Sequence, residues 1–168
     1  DVGLPDEDFV VNALAAEELE KAQVLVAGKP VALRLVEDAQ FALHAPTRVL
    51  SVMLSNLLRN ACLYTERGTV ALRTRGGTVE ITDTGRGVAP EQIPELFRRF
   101  RRGDSLATGE GFGLGLAIVK RICEQAGWKV SIERRAEGGG RRDRRLAHAA
   151  GTAEHDDLLG SKKPLETR

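Results

Sequence analysis

Long hydrophobic runs are missing from this 168-residue chain. Its richest apolar stretches, residues 50–63 and 114–122, are interrupted by Asn, Arg, Lys or Gly, short of the roughly 18 to 20 unbroken apolar residues that a bilayer-crossing helix needs. No membrane segment is expected, and a soluble domain is. The start has no cationic stretch followed by an apolar core; it carries Asp1, Asp6, Glu7 and Asp8 instead, so secretion is not expected. Cysteine is scarce. Cys62 and Cys123 stand far apart with no CxxC or Cys/His spacing, which excludes a disulfide framework or a zinc site and predicts two buried free thiols. An excess of one charge is also absent: 25 Lys and Arg against 24 Asp and Glu give a net charge of +1, so the chain is not expected to bind nucleic acid nonspecifically. Aromatic residues make up only 4%. Residues 138–168 have four leucines (Leu146, Leu158, Leu159, Leu165) and no Val, Ile, Phe, Trp, Tyr or Met. Such a segment buries little, so residues 1–140 are read as one domain and 141–168 as a disordered tail.

What is present is a mixed pattern. Val11, Leu14, Ala15, Leu19, Ala22 and Val26 recur at helical steps and stop at Gly28 and Pro30, which predicts an amphipathic helix. Residues 31–36 alternate as a strand, and 41–43 form a short second one. After Pro46 and Thr47, one helical face carries Leu50, Met53, Leu54, Leu57, Leu58 and Ala61 as far as about Tyr64. Residues 69–74 and 78–83 read as a hairpin turning at Arg75, Gly76 and Gly77. A loop, a short helix over 91–100, a glycine-rich segment over 103–113, a helix from about Leu114 to Ala126 and a strand over 129–133 complete the pattern. Mixed helices and strands around an adjacent hairpin predict an α+β fold, a two-layer sandwich with a mixed sheet and helices on one face.

Four constellations could carry chemistry. Asn56 and Asn60, four residues apart, share a helix face; an amide oxygen there suits Mg²⁺, and the alternative is that the amides cross-link neighbouring backbone. Asp83 ends the strand in ITDTGRGV on the same face as Val79 and Ile81. A carboxylate there needs hydrogen-bond donors, from a nucleobase amino group that Gly85 and Gly87 let approach, or from the turn that it caps with Thr84 and Gly85. GEGFGLGLAIVKRI places Gly109, Gly111, Gly113 and Gly115 before a helix, where bare N–H groups and the positive dipole end suit an anion. No GK[ST] follows and no parallel βαβ unit surrounds it, so neither the Walker nor the dinucleotide pattern applies. In LFRRFRRGD, Leu96, Phe97 and Phe100 face inward. Arg98, Arg99, Arg101 and Arg102 point outward, as a solvated face or, for one of them, toward a phosphate.

In order, NLLRNACLYT, DTGRGV, LFRRF and GFGLGLAIVKRI resemble the N, G1, F and G2 boxes of the histidine kinase catalytic and ATP-binding domain, over residues 10–133. The resemblance implies the Bergerat sandwich, with ATP held under a mobile lid. It makes Asn60 the Mg²⁺ ligand and a catalytic residue, with Asn56 near the phosphates. Asp83 becomes the reader of the adenine amino group and Tyr64 the aromatic against the base, with Gly85 and Gly87 shaping its pocket. Arg102 resembles the basic catalytic residue that reaches the γ-phosphate; Gly111, Gly113, Leu114 and Gly115 resemble the lid hinge and phosphate cradle. Two departures stand out. Leu63 occupies the place of a phosphate-contacting Lys, with Arg59, Arg101 or Arg102 available to compensate. The family's closing strand of the type GTxFxVxLP is not recognisable after Gly140, which predicts an exposed sheet edge or a substitute partner there.

Related ATPases place a Glu four residues before the metal-binding Asn, to activate water. Here that residue is Asn56, which favours transfer to a supplied nucleophile over hydrolysis. His44, His148 and His155 lack an HE[LIF][RK]xP-like setting, so the phosphoacceptor is expected on a separate dimerisation domain. A response regulator is expected downstream. The domain is expected to be cytoplasmic, in a parent anchored in the inner membrane. An anti-sigma-factor-type serine kinase and a nucleotide-binding pseudokinase module are the alternatives.

Overall fold

The computed structural model describes residues 3–87, 90–92, 94, 115–133 and 144–150. Strands β1 (Glu7–Val10) and β3 (Ala42–Ala45) pair antiparallel in a small sheet of their own. The main sheet contains β2 (Val31–Glu37), β4 (Gly68–Arg75), β5 (Thr78–Asp83), β6 (Lys129–Glu133) and β7 (Arg144–Ala150), in the order β2-β4-β5-β7-β6. β2 runs parallel to β4 and every other pairing is antiparallel, so the sheet is mixed, as expected. Among the described residues, it is accompanied by α1 (Val11–Lys21), continued by a 3-10 turn over Ala22–Val26, α2 (Thr47–Tyr64) and α3 (Gly115–Ala126). Helix α1 lies against β2 and β4, α2 against β5 and β4, and α3 against β6.

The core follows from the two periodicities. Across the β4–β5 register, Val70 stands opposite Asp83, Leu72 opposite Ile81 and Thr74 opposite Val79, and all six are buried. Directly opposed residues of an antiparallel pair share a face, so this row is the floor on which the helices sit. Above it, α2 buries Leu50, Met53, Leu54, Leu57, Leu58 and Ala61, the stripe its sequence spacing predicts. Each fully buried leucine contributes about 1.5–3 kcal/mol.

The ends of α2 and α3 have local causes. Thr65 Oγ1 donates to the Ala61 carbonyl at 2.7 Å and closes the last turn of α2. Gly127, at φ +69°, ends α3, and the Trp128 N–H returns to the Cys123 carbonyl at 2.8 Å, the six-to-one bond of a glycine-terminated helix. Two buried polar groups tie the layers. Asn12 Nδ2 donates to Glu37 Oε1 (3.0 Å), Thr74 Oγ1 (3.0 Å) and the Ala39 carbonyl (3.2 Å). Glu18 on α1 accepts from Ser51 on α2 at 2.6 Å and from Lys21 at 3.0 Å.

Two strands depart from the sequence reading. Glu7–Val10, in the acidic lead to which no element was assigned, is β1, because β3 supplies a backbone partner. The missing last strand is also found. Arg144–Ala150 is β7, lying between β5 and β6 with Ile81 opposite Ala147 and Val79 opposite Ala149. Neither an exposed edge at β5 nor a substitute partner is needed, and the sheet runs past the limit expected at residue 140. A strand paired on both sides is held by its ladders, and this overrides its lack of β-branched residues. Residues 151–168 lie outside the described residues.

Candidate functional site: the ends of α2 and β5

Asn56 and Asn60 project from α2 toward the start of α3. Asn60 is only 3% exposed, and among the described residues its Nδ2 has no hydrogen-bond partner. Leaving a buried polar atom unsatisfied costs about 1–3 kcal/mol, so its retention points to a ligand. Asn56 Nδ2 donates to the Val52 carbonyl at 2.7 Å, which directs its Oδ1 at α3. A Cβ placed on Gly115 would come 3.0 Å from that Oδ1 and 3.8 Å from Asn60 Nδ2. Only a glycine lets the first turn of α3, with its N–H groups unpaired inside the helix and its positive dipole end, settle this closely on both amides.

The donors fit Mg²⁺ with a polyphosphate. The evidence is the orphaned Asn60 amide and the Asn56 oxygen beside the Gly115 cradle; turned over, the Asn60 amide presents an oxygen at the same point. Among the described residues no group of three or more His, Cys, Asp or Glu side chains could hold a metal. A magnesium ion here would complete its shell with water and phosphate oxygens, as this ion commonly does.

Asp83 ends β5 on the helix-facing side and is 1% exposed. Its Oδ1 accepts the Gly85 N–H at 2.7 Å, so the carboxylate does cap the turn. A carboxylate offers about four acceptor positions, and the cap uses one of them. Gly85 is required by its surroundings: a Cβ there would lie 2.5 Å from the Tyr64 carbonyl, 2.7 Å from Asp83 Oδ1 and 3.1 Å from Thr65 Oγ1. Gly87 has φ +84°, a conformation that glycine adopts without strain. Tyr64, the last residue of α2, is 38% exposed, and the Arg86 guanidinium sits 5.2 Å from its ring centroid.

The structure thus brings together Asn56, Asn60 and Gly115 at one point, and Tyr64, Asp83 and Gly85 at another, joined by the last turn of α2. Arg102, Gly111, Gly113 and Leu114 lie outside the described residues. Leu63 is half-buried, and Arg59 is exposed on α2. His44 is exposed and bonded to Asp8 at 2.9 Å.

Of three residues that support the site, Thr65 and Lys29 were not singled out from sequence, and Thr84 was read only as part of the turn that Asp83 caps. Thr84 Oγ1 accepts the Thr69 N–H at 2.9 Å and donates to the Arg67 carbonyl at 3.2 Å, pinning the loop after Asp83. Thr65 packs against Gly85. Lys29 reaches from the end of the 3-10 turn to the Cys62 carbonyl at 3.3 Å, placing a cation at the negative end of α2. The threonines following Tyr64 and Asp83 were visible as turn formers; nothing local marked Lys29. Both cysteines are buried free thiols, as expected. Burial pushes each up to about 11; for Cys62 the Lys29 cation opposes this and the Asp83 charge adds to it.

Comparison with known proteins agrees with this arrangement. The model of the family described as histidine kinase-, DNA gyrase B-, and HSP90-like ATPase matches residues 46–146. The sensor-like histidine kinase SenX3 of Mycobacterium tuberculosis (strain ATCC 25618 / H37Rv) is 36% identical over 124 residues, which cover 69% of this chain and 30% of SenX3. The sensor protein QseC of Salmonella typhimurium is 44% identical over 96 residues, 54% of this chain and 20% of QseC. The chain therefore spans less than a third of the length of either relative. Among solved structures, the mycobacterial sensor histidine kinase MprB superposes with a TM-score of 0.72 at 23% identity, over 86% of this chain and 97% of that one. Full-length ShkA in complex with AMPPNP gives 0.74 at 26% identity, over 89% of this chain and 32% of ShkA. With the Asn56–Asn60 helix meeting the Gly115 helix start, and the buried Asp83 meeting the end of that same helix, the chain belongs to the histidine kinase-, DNA gyrase B- and HSP90-like ATPase family and comprises its ATP-binding domain.

Proposed function

We propose that this chain is the catalytic part of a sensor histidine kinase, which transfers the γ-phosphoryl group of ATP to a histidine on a separate dimerisation domain. The observation that carries the reading is the buried, unsatisfied Asn60 amide beneath Gly115, with Asn56 instead of a carboxylate four residues earlier. An amide cannot take a proton from water, so the site binds a triphosphate without a built-in hydrolytic base.

The residues divide the work by position. Asp83 accepts a hydrogen bond from the adenine amino group while its Oδ1 holds the turn. Tyr64 lies against the base. Asn60 and Asn56, with the first N–H groups of α3, orient the polyphosphate. When bound, Mg²⁺ supplies charge neutralisation at the phosphate oxygens. By the family resemblance, Arg102 is the basic residue for the γ-phosphate, and Gly111, Gly113 and Leu114 belong with Gly115 to the lid hinge and phosphate cradle. The partner's imidazole nitrogen forms the new bond to the γ-phosphorus as the bond to the bridging oxygen of ADP breaks. Such a transfer depends on positioning and on neutralised charge. The catalytic unit extends through β7. The domain is cytoplasmic, in a parent anchored in the inner membrane, and a response regulator takes the phosphoryl group from the histidine.

The test has two stages. Calorimetry with ATP, with and without Mg²⁺, is expected to show saturable binding that the metal strengthens. Radiolabelled ATP with a supplied dimerisation domain is expected to label its histidine with an acid-labile, base-stable phosphate. Absence of saturable binding sinks the reading. Binding without transfer favours the second reading, a nucleotide-binding module without kinase activity, for which half-buried Leu63 in place of a phosphate-contacting lysine is the supporting observation.

A further inference from the structure

The loop after β5 brings one more side chain to the end of α2 than the nucleotide reading uses. Gly85 passes against the Tyr64 carbonyl. The next residue, Arg86, turns back across the helix end and sets its guanidinium 5.2 Å from the centroid of the Tyr64 ring. A planar cation at this distance is attracted to the electron-rich face of a phenol. The ring is not covered by this contact, because Tyr64 remains 38% exposed.

We propose that Arg86 is a positioning residue for the nucleotide base. Its guanidinium holds one face of Tyr64 so that the other is presented to the purine, forming a guanidinium–phenol–purine stack. The proposal rests on the reading of this site as an ATP pocket. Tyr64 needs such support because it is the last helical residue: Thr65 is already extended, at φ −106° and ψ 109°, so no following turn packs against the ring. A half-exposed aromatic at a helix end changes rotamer readily, and each nucleotide that binds would have to order it. Arg86 orders it beforehand. The cation also draws π density toward itself, which lowers the face-to-face repulsion between the opposite face and a second aromatic ring.

The test uses the full chain and the non-hydrolysable analogue AMPPNP with Mg²⁺. Arg86→Ala is expected to weaken binding about two- to fivefold, the span of an exposed cation–π contact. In a Tyr64→Leu background the same change is expected to cost nothing further, because the residue through which Arg86 acts is gone. Tyr64 is the only tyrosine, so a ring-labelled sample gives one set of aromatic NMR signals. These signals are expected to move on Arg86→Ala without nucleotide, and to move in the wild type when AMPPNP is added. An unchanged affinity in Arg86→Ala overturns the proposal. So does an equal loss in the Tyr64→Leu background, which would make Arg86 a direct ligand of the nucleotide. Should Tyr64→Leu bind too weakly to titrate, the ring signals decide, and no movement on Arg86→Ala overturns the idea. Asp83→Asn separates the two levels. If wild type binds and Asp83→Asn does not, the pocket stands whatever Arg86 does; if wild type fails to bind, the pocket reading falls and this proposal with it.

Discussion

Asp83 is held by two demands that a single substitution separates. Its Oδ1 accepts the Gly85 N–H at 2.7 Å, and an asparagine oxygen can do the same. Asp83→Asn therefore keeps an acceptor for the turn. It replaces the second oxygen with an NH₂ group, which meets the adenine amino group donor to donor. ATP binding is expected to vanish while circular dichroism still reports a folded chain, and unchanged affinity in calorimetry would remove Asp83 from the base pocket. Gly115 makes the complementary case. Its replacement by Ala favours the helix by up to about 1 kcal/mol, yet puts a methyl group 3.0 Å from Asn56 Oδ1. Affinity for the Mg²⁺-nucleotide is expected to fall roughly tenfold, or about 1.4 kcal/mol, with folding stability within about 1 kcal/mol of wild type. Chemical denaturation run beside the titration checks both halves. The two thiols give a third expectation. Burial raises both to about 11 from 9.0, so in the native state they stay protonated where unfolded thiols ionise. Their contribution to stability is fully present below pH 9 and is lost as pH rises toward 11. Thiol-reactive reagents at pH 8 are expected to label the chain only under denaturing conditions; rapid native labelling would show that a thiol is accessible.

At the scale of elements, legibility followed periodicity. Helix α2 could be read almost to the residue because Leu50, Met53, Leu54, Leu57, Leu58 and Ala61 keep one face across 18 residues. Its two asparagines could be read because they share a face that the apolar stripe leaves to them. The β4–β5 hairpin was visible from alternation and from Gly76 and Gly77. β1 was not, because EDFV is mostly exposed and has no apolar face to announce it; its partner, β3, lies more than thirty residues away. β7 was hidden for a similar reason. Strand identity there comes from β5 and β6 on either side, and no window of local sequence contains that information. The four boxes fixed where the site would be. What they could not give was contact: that Thr65 and Gly85 touch, that Thr84 ties the loop to Arg67 and Thr69, or that Lys29 closes the end of α2.

For the molecule as a whole, β7 decides whether the sheet is one piece. Among the described residues, β6 pairs only with β7, and β7 is the link from β6 to β5. A chain cut after Glu133 loses both ladders. It is expected to unfold without a sharp transition, while a chain ending just after Ala150 keeps a cooperative one; thermal melts followed by circular dichroism test this, and equal melting of the two would make β7 dispensable. The same topology sets the sequence of events at the ribosome. β2, β4 and β5 can join as soon as residue 83 has emerged, whereas β6 must wait, unpaired, for a strand that is made after it. A pause or an error in translating the stretch before Arg144 would leave half the sheet open to other chains, so the synthesis of the last strand is the step at which aggregation competes most directly with folding.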